Sequence, residues 1–515
     1  MAGRAQPVSP IAGIGAAALV AALILGTLAA VGLRAETSSG LGPSDWAALR
    51  FTLTQAVLSA LFSAALAVPV ARALARRRFA GRSALIALLG APFILPVIVA
   101  ILGLIQVFGR AGWISDILGY VGLPPLRIYG LHGVVLAHVF FNLPLATRLI
   151  LQAWQEVPAE RFRLAAQLGC DGWAMFRLIE WPMLKRTLPG VLAVIFAICL
   201  TSFAVALTLG GGPRATTLEL AIFQAFTYDF DLGRAALLST LQLALTAAAA
   251  LAALKFSGKD GFGTGLDRAI RRWDGGAPVT DVFWIMVAAT FLLLPLASVV
   301  LSGVAGVMDM PAQVYRAAVT SILVAAASTA LLLMLALPMA TAVAAGRFGL
   351  VELSGILGLA ASPLVIGTGL FILIRPMANP ATLALPITAL VNAVMALPFA
   401  LRILVPAARD TVSRHGRLAA SLNMSRTTFF TRILLPRLRP QIGFAAGLSA
   451  ALSMGDLGVI ALFADPQIAT LPLQIYRLMG AYQMQAAAGA ALLLLILSMG
   501  AFWLLDRGGR WHAET

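Results

Sequence analysis

The sequence predicts an all-α polytopic transmembrane protein of about twelve helices, arranged as two parallel repeats of six. Three observations lead to this fold class: an apolar composition, long apolar runs at regular intervals, and an internal repeat. Of the 515 residues, 60% are hydrophobic and only 11% are charged, and the mean hydropathy is +0.93. Because soluble domains carry about a quarter charged residues, most of this surface is expected to face lipid.

Twelve apolar runs are long enough to cross a bilayer. They lie near 11–33, 52–74, 84–108, 131–152, 189–209 and 235–254 in the first half, and near 282–303, 318–344, 351–374, 383–404, 443–462 and 486–505 in the second. The first run is longer than the apolar part of a signal peptide and lacks a clear small-residue cleavage site. It is therefore expected to be a retained helix.

The basic residues predict the orientation of these spans. With the N-terminus placed in the cytoplasm, most of the 37 Lys and Arg residues fall in cytoplasmic segments, including the cluster at 72–82. The reverse orientation would violate the positive-inside rule in nearly every loop. Both termini are thus expected in the cytoplasm. The net charge of +16 then points to anionic inner-leaflet lipid rather than nucleic acid.

The chain divides into two modules of six spans each. The first covers 1–254 and the second 281–515, and a Gly-, Lys-, Arg- and Asp-rich segment at 255–280 reads as a cytoplasmic linker. Because each module begins in the cytoplasm, the two should be related by a pseudo-two-fold axis along the membrane normal. Such an axis places a translocation path between the modules. With only two cysteines, Cys170 and Cys199, no disulfide framework is expected.

The repeat is clearest where the chain is too polar to span the membrane. Shifted by 254 positions, residues 143–182 fall on 397–436 without a gap, and a repeated cytoplasmic loop suggests a repeated docking task. The loops lie at 156–188 and 410–442. The matched positions pair Leu164, Ala165, Ala166, Leu168, Gly169, Phe176, Ile179 and Pro182 with Leu418, Ala419, Ala420, Leu422, Asn423, Phe430, Ile433 and Pro436.

Each loop is expected to form a short helix whose small residues let a partner approach closely. Phe176 and Ile179 share a helical face, for the same contact or for packing against the membrane domain. Pro182 and Pro436 are expected to break the helix before the chain re-enters the bilayer. The competing interpretation is a pair of amphipathic interface helices with snorkelling arginines, which the duplication makes less attractive.

The pattern Ala165-Ala166…Gly169…Ile179…Pro182 resembles the "EAA" loop of bacterial ATP-binding-cassette (ABC) importer permeases. In that family the loop is a coupling helix seated in a groove of the ATPase. Leu164 stands where the family has Glu, and the second copy has Leu418 and Asn423 in place of Glu and Gly. The resemblance implies a type I importer fold, two ATPase copies that bind ATP and Mg²⁺, and a periplasmic binding protein. It implies no cofactor in this chain.

Longer strings sharpen the resemblance to the thiamine permeases among the fused double permeases. They are His138–Pro144, Leu164–Gly169, Glu180–Pro182, Leu209–Pro213, Ala215–Ala225 and Thr227–Asp231. The resemblance, rather than composition or spacing, implies thiamine as substrate, with its phosphate esters as further candidates. A ferric-iron importer has the same architecture and is the alternative within the class.

Asp456 is the most informative residue for a path through the membrane. It lies inside the eleventh predicted span, where a carboxylate costs roughly 2.5–3.5 kcal/mol, and the 254 offset places it opposite Ser202, next to Phe203. A carboxylate and aromatic faces there could lower the barrier for a thiazolium cation, or Asp456 could cap a glycine-loosened turn. Asn142 and Asn392 either line the path or bridge helices.

Other functional classes find less support in the sequence. No Gly-x-x-x-x-Gly-Lys-Ser/Thr loop is present, so ATP hydrolysis requires a separate subunit and the chain itself is not expected to be an enzyme. No nucleophilic or metal-binding constellation is evident, and His132 and His138 are not spaced as a helical metal pair. An ion-coupled secondary transporter remains a less favoured alternative, because its coupling ordinarily needs several carboxylates within the spans.

Overall fold

A computed structural model describes residues 8–36, 40–90, 94–256, 278–346, 349–463 and 468–510 of the chain. The described residues form helices and connecting turns only. In the first module the helices are α1 Ile11–Ala35, α2 Pro43–Arg76, α3 Arg82–Leu88, α4 Val97–Phe108, α5 Trp113–Tyr120, α6 Leu131–Glu156, α7 Ala159–Gln167, α8 Gly172–Met175, α9 Trp181–Leu200, α10 Phe203–Leu209, α11 Leu218–Thr227 and α12 Leu232–Phe256.

The second module repeats this order with ten helices. They are α13 Pro278–Gly306, α14 Ala312–Ala344, α15 Gly349–Ala360, α16 Pro363–Ile374, α17 Ala384–Ser421, α18 Arg426–Phe429, α19 Leu435–Met454, α20 Gly458–Phe463, α21 Leu471–Gly480 and α22 Met484–Arg510. A π-helical turn precedes α9 (Phe176–Glu180) and α19 (Phe430–Leu434), and short 3₁₀ turns lie at Pro213–Ala215, Val307–Asp309 and Pro380–Leu383. Most of the predicted linker, 257–277, lies outside the described residues.

Ten helices in the described part of the chain are long and apolar enough to cross a membrane. The all-α polytopic fold is thus confirmed, but four of the twelve predicted spans are not single helices. In the first module the run at 84–108 contains α3 and α4, and the run at 189–209 contains α9 and α10. The run at 351–374 is divided into α15 and α16 at Ser362-Pro363, and the run at 443–462 is divided into α19 and α20 at Gly455-Asp456. Serine and aspartate bond to nearby backbone groups, and proline lacks the N–H that a helix needs, so apolar runs containing them are interrupted.

The first helix of each module packs against the other module. α1 contacts α14, α15 and α16, whereas α13 contacts α2 and α4. Two glycines at equivalent places allow close approaches between the modules. A methyl group on Gly103 would lie 2.4 Å from the carbonyl oxygen of Pro295, and one on Gly369 would lie 2.5 Å from that of Thr27. Each module thus packs its first helix against the other module, and we call this arrangement the exchange of first helices. These reciprocal contacts hold the two modules together on both sides of the molecule.

The repeat also extends to individual hydrogen bonds at the buried starts of α11 and α21. The backbone N–H of Leu218 donates to the Thr52 hydroxyl at 2.8 Å, and that of Leu471 donates to the Ser321 hydroxyl at 2.7 Å. Thr52 and Ser321 occupy matching positions of α2 and α14. Because an unpaired buried N–H would be costly, each hydroxyl fixes a short helix against a long one.

Substitution of Gly369 by Ala is expected to push α16 away from α1 and lower the thermal unfolding midpoint in detergent. The expected cost is about 1–3 kcal/mol, because the opposing atom is backbone and cannot rotate away. Gly26→Ala on α1 is the matched control, since nothing lies within 4 Å of a methyl group there. A Gly369→Ala protein as stable as the Gly26→Ala control would contradict the exchange.

Candidate functional site

The two cytoplasmic loops fold in the same way despite their sequence differences. Gly169 and Asn423 both adopt a left-handed backbone, with φ of 72° and 51°. Each ends its helix with two turn hydrogen bonds, 3.1 and 3.0 Å long in both loops, from residues 169 and 170 and from residues 423 and 424. Asparagine is among the few non-glycine residues that tolerate this conformation, so the replacement of Gly by Asn preserves the loop. We refer to residues 164–169 and 418–423 as the docking segments.

The docking segments present leucines to the solvent. Leu164 and Leu168 are 57% and 74% exposed, and Leu418 and Leu422 are 58% and 64% exposed. Ala165 and Ala419 are buried against the protein, so these two alanines pack inward, whereas Gly169 and Ala420 are exposed beside the leucines. Pairs of exposed leucines, spaced four residues apart and present twice, indicate a protein contact surface.

Pro182 and Pro436 do not break the helix, contrary to expectation. The helix runs from Gly172 through Leu200, because a π-helical turn precedes each proline. In this turn the N–H of Trp181 donates to the Phe176 carbonyl, five residues back, and the N–H of Leu435 donates to that of Phe430. The wider turn accommodates a residue that lacks an N–H and would clash with the carbonyl four residues earlier. A continuous helix therefore begins just after each docking segment, at Gly172 and at Arg426, and runs into the membrane domain.

An ion pair anchors the first of these connections. Glu180, fully buried in the π-helical turn, accepts a 2.7 Å hydrogen bond from Arg72 of α2. The same guanidinium lies 5.2 Å from the centre of the Phe176 ring, which also stacks on Trp173. Phe176 and Ile179 pack against the membrane core, as do Phe430 and Ile433 in the second module. At the positions equivalent to Arg72 and Glu180, the second module has Thr341 and Leu434.

The second connection borders a basic cavity instead. A cavity of about 710 Å³ lies beside the docking segment, with Ile433 and Pro436 in its wall. Arg414, Arg432 and Arg437 also line it, whereas the first module has Glu160, Leu178 and Met183 at these places. The two docking segments thus have the same backbone geometry and different electrostatic surroundings.

Both membrane helices that follow the docking segments are interrupted at equivalent positions. α9 ends at Leu200 and α10 begins at Phe203, so Thr201 and Ser202 form the first break; Gly455 and Asp456 lie in the second break, between α19 and α20. The breaks meet structures from the opposite module. A methyl group on Gly455 would lie 3.1 Å from Cα of Pro96, and one on Gly458 would lie 3.7 Å from Cδ1 of Phe203. The interrupted helices therefore face each other across the module interface.

Asp456 lies in the second break and has few partners. Its Oδ1 accepts the backbone N–H of Gly458 at 3.2 Å, which is the turn-capping contact considered from the sequence. Its solvent-shielded Oδ2 accepts no hydrogen bond of normal length from a described residue. Asn392 is the polar side chain that faces the carboxylate, and its amide donates to Ser453 at 3.0 Å. The carboxylate therefore retains acceptor capacity at the interface.

The remaining predicted residues bridge helices near the first break. The Asn142 amide lies 3.4 Å from the Cys199 sulfur, and His138 contacts Ser59 at 3.2 Å. His132 bonds the Arg127 carbonyl, so both histidines have structural partners. Among the described residues, no group of three or more His, Cys, Asp or Glu side chains could hold a metal ion.

One buried carboxylate was missed by sequence reasoning. Residues 210–234 lie between the fifth and sixth predicted spans, but α11 within them is an apolar helix whose Glu219 is fully buried. The run Leu218–Phe226 is too short to span a membrane, so apolar length alone does not reveal it. Thr217, whose side chain accepts the Leu220 N–H at 3.3 Å, is the helix-start residue that could have revealed it.

Comparison with known proteins identifies the family. No protein-family model matches the chain. The thiamine transport system permease protein of Salmonella typhimurium is 40% identical to it over 100% of both chains. That of Brucella abortus is also 40% identical, over 98% of this chain and 96% of the relative. The same protein from Escherichia coli is 38% identical over 98% of both chains.

The chain belongs to the thiamine transport system permease family. The similarity to these permeases runs through both modules, so the fused arrangement is a property of the relatives as well. A sulfate transport system permease of Synechococcus elongatus is 27% identical over 35% of this chain. The more distant likeness is thus also to a transport permease.

The Arg72–Glu180 pair provides a test of the connection between docking segment and membrane helix. Arg72→Thr alone is expected to destabilise the protein by about 3–5 kcal/mol, because it removes the guanidinium that donates to the buried Glu180 carboxylate. The double variant Arg72→Thr, Glu180→Leu carries the residues of the second module and should regain most of this stability. Thermal unfolding in detergent measures both; a double variant no more stable than the single one would contradict the pairing.

Proposed function

We propose that this chain is the permease subunit of an ABC importer that carries thiamine across the bacterial inner membrane. The observation that carries the proposal is whole-length similarity of about 40% to thiamine transport system permeases. The duplicated docking segments with their exposed leucines support an ATP-driven importer, because neither an ion-coupled transporter nor a membrane enzyme requires them. The similarity also disfavours ferric iron as the substrate.

In this proposal the partners bind at opposite ends of the molecule. Two copies of an ATPase subunit contact the two docking segments in the cytoplasm, where both termini also lie, and ATP and Mg²⁺ bind to those copies rather than to this chain. A thiamine-binding protein contacts the outer side. On this outer side, Arg234 of α12 donates hydrogen bonds to Asp45 of α2 at 2.7 Å and to Asp229 at 2.8 Å. Asp229 is therefore engaged within the chain.

The geometry connects the proposed ATPase-binding surface to the proposed substrate path. Each docking segment leads through a π-helical turn into a helix that ends at a break in the module interface. Because a helix transmits displacement along its axis with little deformation, movement of the docking segments towards each other would move both breaks. The breaks carry Ser202 and Asp456, so the substrate path would open on one side and close on the other.

Transport requires this chain and an active ATPase together. The experiment is uptake of labelled thiamine by a thiamine-requiring bacterium that lacks its own importer, supplied with this chain, its ATPase and its binding protein. Uptake that stops when the ATPase is made unable to hydrolyse ATP is the expected result. Uptake that continues with the inactive ATPase would support an ion-coupled transporter, and no uptake by an assembled complex would contradict thiamine as substrate.

Asp456 is expected to assist passage of the thiazolium cation. Asp456→Asn keeps the side-chain shape and the contact to the Gly458 N–H but removes the charge, so uptake should fall about tenfold while assembly with the ATPase is retained. Asp116→Asn is the control, because it neutralises an exposed carboxylate of α5, away from the docking loops and the breaks. Equal uptake rates for the Asp456→Asn variant and the wild type would restrict Asp456 to capping the turn.

A further inference from the structure

A second buried carboxylate lies at the module interface, at the start of α11. Glu219 is fully buried, and neither of its oxygens accepts a hydrogen bond of normal geometry from a described residue. The polar side chains that face it are Ser362 of the second module and Gln242 of α12. The Ser362 hydroxyl accepts the Val365 N–H at 3.2 Å, and Gln242 donates one amide N–H to the Leu200 carbonyl at 2.8 Å, so each retains one donor for the carboxylate.

The side chains that face Glu219 are neutral. The amide oxygen of Gln242 is also buried without a hydrogen-bond partner, while one of its amide N–H groups is used on the carbonyl of Leu200. Among the described residues, no Lys, Arg or His interacts with the Glu219 carboxylate. A site composed of unsatisfied oxygens in an apolar interior favours a positively charged partner.

Aromatic rings continue the same face of α11. Phe223 and Phe226 follow Glu219 at spacings of four and seven residues, so the three side chains share one side of the helix. Phe223 makes an edge contact with Phe203 at 5.2 Å between ring centres, and Phe226 makes one with Phe371 of the second module at 4.3 Å. Phe371 in turn lies 5.8 Å from Phe463. The faces of such rings attract organic cations.

The fold itself does not require a carboxylate at this position. In the second module the equivalent helix α21 starts in the same way, with its first N–H bound to Ser321, and it has Pro472 where α11 has Glu219. Tyr476 and Met479 replace Phe223 and Phe226. The acidic and aromatic face is thus specific to one copy of a duplicated structure, as expected for a residue that serves the substrate.

We infer that Glu219, Phe223 and Phe226 form a recognition site for an aromatic organic cation at the interface between the modules. The inference rests on the proposed function and adds a second anionic contact to Asp456, from which it is separated by Phe203 and Phe223. In the present conformation the Phe226–Phe371 contact holds the two modules together over the site. Separation of the modules at this contact exposes the face of α11.

The first test uses the complete complex with ATPase and binding protein, reconstituted in lipid vesicles. Glu219→Gln keeps the shape of the side chain and is expected to lower thiamine uptake per assembled complex about tenfold while ATP hydrolysis continues. Glu219→Asp should retain part of the activity. Asp116→Asn, which removes an exposed carboxylate of α5, is the control and should transport as the wild type does.

The outcomes separate the two proposals. No thiamine uptake by the wild-type complex would overturn the proposed function, whereas wild-type uptake that Glu219→Gln leaves unchanged would overturn only the recognition site. If Glu219→Gln does not assemble, Phe226→Cys in a chain with Cys170 and Cys199 replaced by Ser supplies the test. An impermeant trimethylammonium thiol reagent should label it only in the vanadate-trapped complex and more slowly with thiamine present. Labelling that thiamine does not slow, or no labelling, would overturn the site.

Discussion

Continuous helix between the cytoplasmic surface and the middle of the molecule is the constraint on which the rest of the structure depends. Residues 172–200 form one apolar helix that passes through a π-helical turn, and the second module repeats the turn at Phe430–Leu434. A proline after an ordinary turn would have kinked or ended the helix. Because the wider turn accommodates Pro182 and Pro436, continuous helix connects the turns that follow the docking segments to the breaks at 201–202 and 455–456.

The two modules share this backbone and differ in the charges placed on it. Arg72 and Glu180 anchor the first connection, whereas Thr341 and Leu434 stand in the second. Asp456 lies opposite Ser202, and Glu219 lies opposite Pro472. Buried charges in a membrane are costly unless they are paired or functional. The duplicated parts are therefore the helices, turns and breaks, whereas the buried charges are each present in one module only.

Much of the fold follows from the sequence, because apolar length and basic loops report directly on the bilayer. The docking segments were predictable from the repeat, and the left-handed Asn423 explains how the second copy departs from the family pattern without losing its shape. The interruptions of the membrane helices were harder to predict from the sequence. A hydropathy run continues across Ser362-Pro363 and Gly455-Asp456, although hydrogen bonding to the backbone stops the helix there.

Three features were beyond sequence reasoning for physical reasons. The exchange of α1 and α13 between modules depends on contacts such as Gly369 against Thr27, which no local pattern encodes. The orientation of Ala165 towards the protein depends on how α7 packs. Glu219 resembles a loop carboxylate because α11 is short, and its burial arises only when α2, α12 and α16 surround it.

The distance between spin labels at Leu168→Cys and Leu422→Cys, measured with labels at Ser202→Cys and Ala461→Cys in a parallel sample, tests the central claim most directly. The account predicts that vanadate trapping of the complex shortens the distance between the docking segments. It also predicts that the distance between the labels beside the two breaks changes in the same state, because the helix that begins just after each docking segment ends at a break. A shortened docking distance with an unchanged distance at the breaks would contradict the mechanical connection.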